Sequence, residues 1–360
     1  MLRRSTAVRP SPTLTLLVAA AVAAAAPRPA LAQDDSPREV AYGITSARPS
    51  RYVGDDVARG DSLLRRGRIF AAESAYYDAA RHAPRDPSAR LALGRYLAAR
   101  GALRIGAVLM EEARFFGGDT KAIGTELAPV YARLGDYRSL AALPGTPLTA
   151  TERARAEWLR DHAPEARGSD SATVAYAPDA GGAGALGRVT LGLGGEAVEA
   201  TIDPSVRGLV LDTAWTHRPD DAKTFGTRQA GGAPATIGAA LAVKLGEITL
   251  TNVPARFAPQ GGRASARIGL DVLAALAPTF DERARRITLR RAGRVAPALP
   301  GEHLPTLTFA SGVWLGSSAS AAPAASSPTS VSLASTRARS QLRDTRWTMD
   351  TRRGEIVLER

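Results

Sequence analysis

Between residues 60 and 113 small side chains return at a single interval. Gly60 and Gly94, Gly67 and Gly101, Ala72 and Gly106, and Ala79 and Ala113 are each 34 residues apart, and Gly135 continues the Gly67 series. A long period that preserves only small residues requires two elements per unit to cross so closely that no larger side chain fits between their backbones. Stacked helix pairs meet that requirement, whereas strands repeat every second residue.

The spacing resembles the tetratricopeptide repeat, with Pro84 closing the first unit. The resemblance covers about residues 56–145: two full units and a degraded third whose first helix holds "ELAPVYARLGDY". "TATERARAEWLRDHA", 149–163, predicts a final helix capped by Thr149 or Thr151, with Trp158 and Leu159 turned inward. An all-α module over 56–163 follows. The resemblance implies either a packing partner for the next domain or a groove for a peptide or protein, and both stay open.

Ahead of the repeats, Arg3, Arg4 and Arg9 precede an apolar run from Leu14 to Ala26, and Ala30-Leu31-Ala32 forms a small-residue cleavage site. Residues 1–32 read as a secretory signal peptide and 33–55 as a disordered tether. The expectation is an exported protein, periplasmic or secreted, with no stable membrane insertion after cleavage, because no second run of about 20 apolar residues follows. The chain has no cysteine, which excludes disulfides and thiol chemistry. Its net charge of +12 is carried almost wholly by scattered arginine, with Lys121, Lys223 and Lys244 the only lysines. Scattered charge is not a nucleic-acid footprint, so no nucleic-acid partner is expected.

Residues 164–186, rich in Gly, Ala and Ser, read as a linker. Beyond them the period turns to two, in short alternating runs punctuated by Gly, Pro and Asn, which predicts a mainly β domain over 187–292 with one short helical turn between Gly269 and Leu276. Residues 293–360 form a C-terminal extension with a low-complexity insertion (316–335) and a terminal hairpin around Arg352 to Gly354.

Three segments of the β half resemble the retropepsin-like aspartic peptidases, over about residues 185–292. "VTLGLGGEAVEATID" matches the opening hairpin, with Gly195 eight residues before Asp203; "VKLGEITLTNVPARFAP" matches the middle strands; "ARIGLDVLAALAPTFDERARRITL" matches the Gly-Leu-Asp helix start and closing strands. The resemblance implies a mainly β acid-protease barrel with Asp203 as its catalytic carboxylate. Two such carboxylates about 3 Å apart share one proton and activate a water, so a one-lobe enzyme needs a homodimer to bring a second Asp203 across a twofold axis.

The chain departs from the family at the triplet, where Asp203-Pro204-Ser205 replaces Asp-Thr-Gly. Pro204 carries neither hydroxyl nor N–H, and Ser205 brings a Cβ where glycine is wanted, although its hydroxyl is a possible support. Asp212, in "LDTAW", is the second candidate. An echo of the closing strand, "RWTMDTRRGEIVL", aligns without gaps with "APTFDERARRITL" through Thr279/Thr348, Asp281/Asp350 and Ile287/Ile356. It reads as a shrunken second lobe or as two similar hairpins, and it supplies no catalytic mate.

Other sites fall away. The dinucleotide-like glycines at 192–195 are followed by period-two residues where a helix is needed, and His82, His162, His217 and His303 lack metal-ligand spacing, so neither cofactor nor metal is expected. Asp271 reads as a helix cap or turn acid and Asp281 as a strand-end acid facing Arg283 or Arg285. Two functions follow: an aspartic endopeptidase using Asp203 from each subunit of a homodimer, with peptide substrates, or a noncatalytic scaffold that binds a peptide or protein.

Overall fold

The computed structural model describes residues 53–145, 148–178, 184–228, 234–260, 266–291, 301–309, 312–316, 330–333, 342–351 and 353–359. The expected signal peptide and all but the last residues of the tether lie outside them. Among the described residues seven helices precede the strands: α1 (Val53–Arg65), α2 (Ile69–His82), α3 (Pro87–Ala99), α4 (Leu103–Phe115), α5 (Thr120–Leu134), α6 (Tyr137–Ala142) and α7 (Ala150–Asp161). No helix among the described residues is long and apolar enough to cross a membrane.

The 34-residue period has a geometric cause at each position. Gly67, Gly101 and Gly135 end α1, α3 and α5 at positive φ (71°, 93° and 71°), which lets the chain turn sharply into the partner helix. Gly94 and Gly106 lie where α3 crosses α4: a Cβ on Gly94 would stand 2.9 Å from the Gly106 carbonyl oxygen, and one on Gly106 would stand 2.7 Å from that of Gly94. Ala72, Ala79 and Ala113 are fully buried. Side chains set the helix starts. Asp86 accepts from the N–H groups of Ser88 and Ala89 ahead of Pro87, Asp119 accepts from those of Lys121 and Ala122, and Thr149 forms a reciprocal capping box with Glu152. Leu159 is buried and Trp158 half-buried, as the amphipathic pattern predicts.

The strands are β1 (Glu165–Gly168), β2 (Ser171–Ala177), β3 (Gly187–Leu193), β4 (Glu196–Asp203), β5 (Leu209–Leu211), β6 (Ala222–Arg228), β7 (Ala235–Leu245), β8 (Ile248–Phe257), β9 (Ala266–Gly269), β10 (Thr279–Asp281), β11 (Arg286–Arg290), β12 (Glu302–Phe309), β13 (Gly312–Gly316), β14 (Ser330–Ser332), β15 (Arg346–Asp350) and β16 (Glu355–Glu359), with α8 (Leu270–Ala274) between β9 and β10. Strands β3, β4, β9, β5, β8 and β7 pair in that order, and β7 returns to β3 at Gly192–Lys244, which closes a barrel. Leu191, Ile202, Leu209, Val243, Phe257 and Ile268 fill its core.

One expectation needs correction. Residues 164–186 are not a plain linker, because they contain β1 and β2. Ala172, Val174 and Tyr176 alternate inward along β2, and their small or polar neighbours hid that period in the composition. The C-terminal extension, with its expected terminal hairpin, joins the same sheet. β12, β16 and β15 continue the same sheet through β10, β11 and β2, and Trp347 stacks on Phe280 at 4.0 Å between ring centroids. Most of the low-complexity insertion lies outside the described residues, but its Ser330–Ser332 segment is β14, paired with β13.

Candidate functional site

Asp203 ends β4, in antiparallel register with β3 and in parallel register with β9, opposite Gly269. The residues after it turn back at once, with Val206 N–H donating to the Asp203 carbonyl at 3.1 Å. Its Oδ1 accepts from the backbone N–H of Ser205 at 2.9 Å and from the Ser205 hydroxyl at 2.6 Å, and its Oδ2 lies 3.7 Å from Nη1 of Arg267 on β9. Ser205 therefore does supply a hydroxyl, to the carboxylate of its own loop. The Asp203 side chain is 18% exposed.

The corner is tied down from two sides. Gly208, whose φ is 66°, donates its N–H to both carboxylate oxygens of Asp271 at 3.0 Å, and its carbonyl accepts from Gly269 N–H at 2.8 Å. Asp271 thus acts across the loop onto Gly208, and the cap of α8 falls at Gly269. Although solvent reaches Asp271, the protein surrounding it desolvates the carboxylate and raises its pKa. On the other side Arg207 donates to the Phe309 carbonyl of β12 at 3.0 Å, and a Cβ on Gly312 would lie 3.5 Å from the Pro204 carbonyl oxygen. The C-terminal hairpin β12–β13 therefore sits directly against the Asp203 loop.

The helical module grips that hairpin in turn. Leu307 joins Ile69, Tyr76, Leu93 and Tyr96 in one buried cluster, and Arg133 on α5 donates to the carbonyls of Ala98 and Thr308. Burial lowers the Arg133 pKa to about 10. α7 packs on β6 and β7: Glu152 pairs with Arg228 at 2.7 Å, Trp158 lies 5.7 Å from Phe225 between centroids, and Arg155 donates to the Ala255 carbonyl at 3.4 Å.

The remaining candidates separate from this centre. Asp212 caps the 3-10 turn Thr213–His217, accepting from Ala214 N–H at 2.9 Å and Gln260 N–H at 3.2 Å, and those donors lower its pKa. It is a turn acid. Asp281 faces neither Arg283 nor Arg285: Ala284 N–H donates to it, and its ionic neighbour is Arg286 at 3.7 Å. Among the described residues no group of three or more acids or histidines could hold a metal ion.

What sequence reasoning missed is the partnership of the two echoing hairpins. Strand β10 pairs antiparallel with β15, Thr279 opposite Thr348, Phe280 opposite Trp347 and Asp281 opposite Arg346. A half-turn about the midpoint of the two threonines carries Thr279 onto Thr348 and Asp281 onto Asp350, which is also the gap-free alignment of the two segments. The local dyad extends outward, since β11 pairs with β2 on one side and β16 pairs with β12 on the other.

No protein-family model matches the chain, and no curated protein matches it. Among solved structures it is similar to a retropepsin-like aspartic protease from Rickettsia conorii, with 13% identity, a TM-score of 0.25, and coverage of 36% of this chain and 94% of that one.

Proposed function

We propose that this chain is a noncatalytic member of the retropepsin-like group, an exported scaffold that holds an extended peptide or protein segment beside its β barrel, with tetratricopeptide-like helix pairs as a brace. The retropepsin-like reading is supported by the order of the opening hairpin, the strand-end Asp203, and the Gly-Leu-Asp start of α8 reaching back to the Asp203 loop through Gly208. One observation carries the loss of catalysis. A local dyad through Thr279 and Thr348 relates the β10–β11 hairpin to the β15–β16 hairpin of the same chain, where a symmetric dimer would place another copy. The residues from His303 to Arg343 that lead into this second hairpin contain neither Asp nor Glu, so Asp203 gains no mate from them. Without a mate, Asp203 has no second carboxylate with which to share a proton, and the family's mechanism requires that sharing.

The test is incubation of the purified protein with an unfolded, alkylated carrier protein from pH 3 to 7, with and without a statyl inhibitor, together with measurement of carrier binding by anisotropy. Binding without cleavage is expected. Inhibitor-sensitive cleavage that disappears in Asp203→Asn would establish the competing reading, a homodimeric endopeptidase. Export belongs to the same proposal and is checked by N-terminal sequencing of protein recovered outside the cytoplasm, which should begin near Gln33.

A further inference from the structure

The outer face of the barrel carries a row of side chains assembled from seven strands. Reading across the registered positions, the row runs Gly226, Ile237, Arg256, Val210, Arg267, Thr201 and Arg188. α7 covers its first end, where a Cβ on Gly226 would meet the Thr151 methyl at 2.9 Å, and Ile237 and Val210 are buried. Beyond α7 the arginines emerge: Arg256 is exposed and the Arg267 side chain is 43% exposed. Arg155 and Arg228 border the same face, so the charged groups there are five arginines against Glu152, Asp203 and Glu199.

Among the described residues these carboxylates leave Arg256 without an ion pair and hold Arg267 only loosely. Glu152 is taken by Arg228 and Glu199 by Arg188, while Asp203 reaches Arg267 only at 3.7 Å. The Nε atoms of Arg267 and Arg188 are buried without a hydrogen-bond partner. Although solvent reaches Arg256, the protein around it desolvates the guanidinium and, with the like charges of Arg267 and Arg228, lowers its pKa. Guanidinium groups crowded in this way are suited to planar, bidentate carboxylates.

We infer that the barrel face beside α7 that carries Arg256 and Arg267 binds an extended acidic peptide segment. Arg256 and Arg267 are separated by one intervening strand, and strands spaced about 4.8 Å apart put the side-chain origins about 10 Å apart. A chain in polyproline II conformation advances about 9 Å in three residues and returns its side chains to one face with that period. The matching ligand therefore carries an acidic residue at every third position. This deepens the reading of a peptide-holding scaffold by naming the peptide's chemistry, although the arginine row itself does not depend on peptidase ancestry.

The experiment uses fluorescence anisotropy with the full chain and a labelled peptide of repeating Glu-Pro-Pro, its Gln-Pro-Pro counterpart, and a labelled oligothymidylate of equal charge. The glutamate peptide should bind, the glutamine peptide should not, and Arg256→Glu and Arg267→Glu should each weaken binding by at least about ten-fold. Arg81→Glu, on the far side of α2, should leave it unchanged, and circular dichroism verifies folding of each variant. Equal binding of the glutamine peptide overturns the inference, as does equal binding of the oligonucleotide, which would make the row a general polyanion surface. If the unfolded carrier binds while the glutamate peptide does not, this inference fails and the scaffold reading stands; if neither binds, both fail.

Discussion

The hydroxyls of Thr279 and Thr348 lie 2.7 Å apart at the centre of the paired strands β10 and β15, both residues almost wholly buried, and a local twofold axis passes between them. Arg290 donates a further hydrogen bond to the Thr279 hydroxyl at 2.7 Å. The axis relates the β10–β11 hairpin to the β15–β16 hairpin within one sheet.

That contact should be measurable as coupling. Thr348→Val leaves the Thr279 hydroxyl with Arg290 as a partner and should cost about 1 kcal/mol in denaturant unfolding, whereas Thr279→Val strands both Arg290 and Thr348 and should cost more, up to about 3 kcal/mol. The double variant should cost less than the sum of the two singles. Strict additivity would show that the two threonines act independently.

On the retropepsin-like reading proposed above, installing the Asp-Thr-Gly triplet tests whether Pro204 and Ser205 account for the proposed loss of catalysis. Pro204→Thr combined with Ser205→Gly recreates the residues that brace a working acid protease, yet the dyad-related hairpin still brings no second carboxylate. Incubation of this variant with unfolded protein at acidic pH should release no peptides. Cleavage by the variant would locate the lesion in the triplet and remove the argument from the dyad.

Helix crossing sets a third expectation. Gly106→Ala forces a methyl to within 2.7 Å of the Gly94 carbonyl oxygen and 2.8 Å of the Ala98 Cβ. Separation of α3 from α4 should cost about 1–3 kcal/mol, read as a lower denaturation midpoint. Ala72 occupies the equivalent place in the preceding unit, and Ala72→Gly should be destabilising too, through helix propensity and a lost methyl contact.

Two carboxylates should shift the pH dependence of stability in opposite directions. The pKa of Asp212 is lowered by the N–H groups of Ala214 and Gln260, so its contribution is present above the ordinary Asp value and is lost as pH falls through its folded pKa. The pKa of Asp271 is raised by desolvation, so its contribution is present below the ordinary Asp value and is lost as pH rises through its folded pKa. Carbon-13 titration of the two carboxyls should find Asp212 below and Asp271 above the usual range. Asp271→Asn should make stability climb more steeply as pH rises from the ordinary Asp value towards neutrality; an unchanged slope would show that Asp271 titrates normally.

How much was legible in the sequence varies by element. The helix pairs announce themselves because Gly67, Gly101 and Gly135 stop helices at positive φ and Gly94 and Gly106 permit a crossing, and both needs are met by residue type alone. The β3–β4 hairpin and the strand-end position of Asp203 were visible as period-two runs around Gly194 and Gly195. β2 was not visible, since Ala172, Val174 and Tyr176 alternate with small residues inside a segment whose composition reads as linker.

Local chemistry written in neighbouring residues, such as turns, caps, crossing points and alternation, was determined by the sequence itself. Tertiary structure alone decided which distant strands would meet: Thr279 with Thr348, Gly208 with Asp271, and Arg256 with Arg267 across Val210. The physical reason is that strand pairing is made by backbone groups every residue carries, so a strand's partner is selected by the burial of the whole sheet rather than by any label in its own residues.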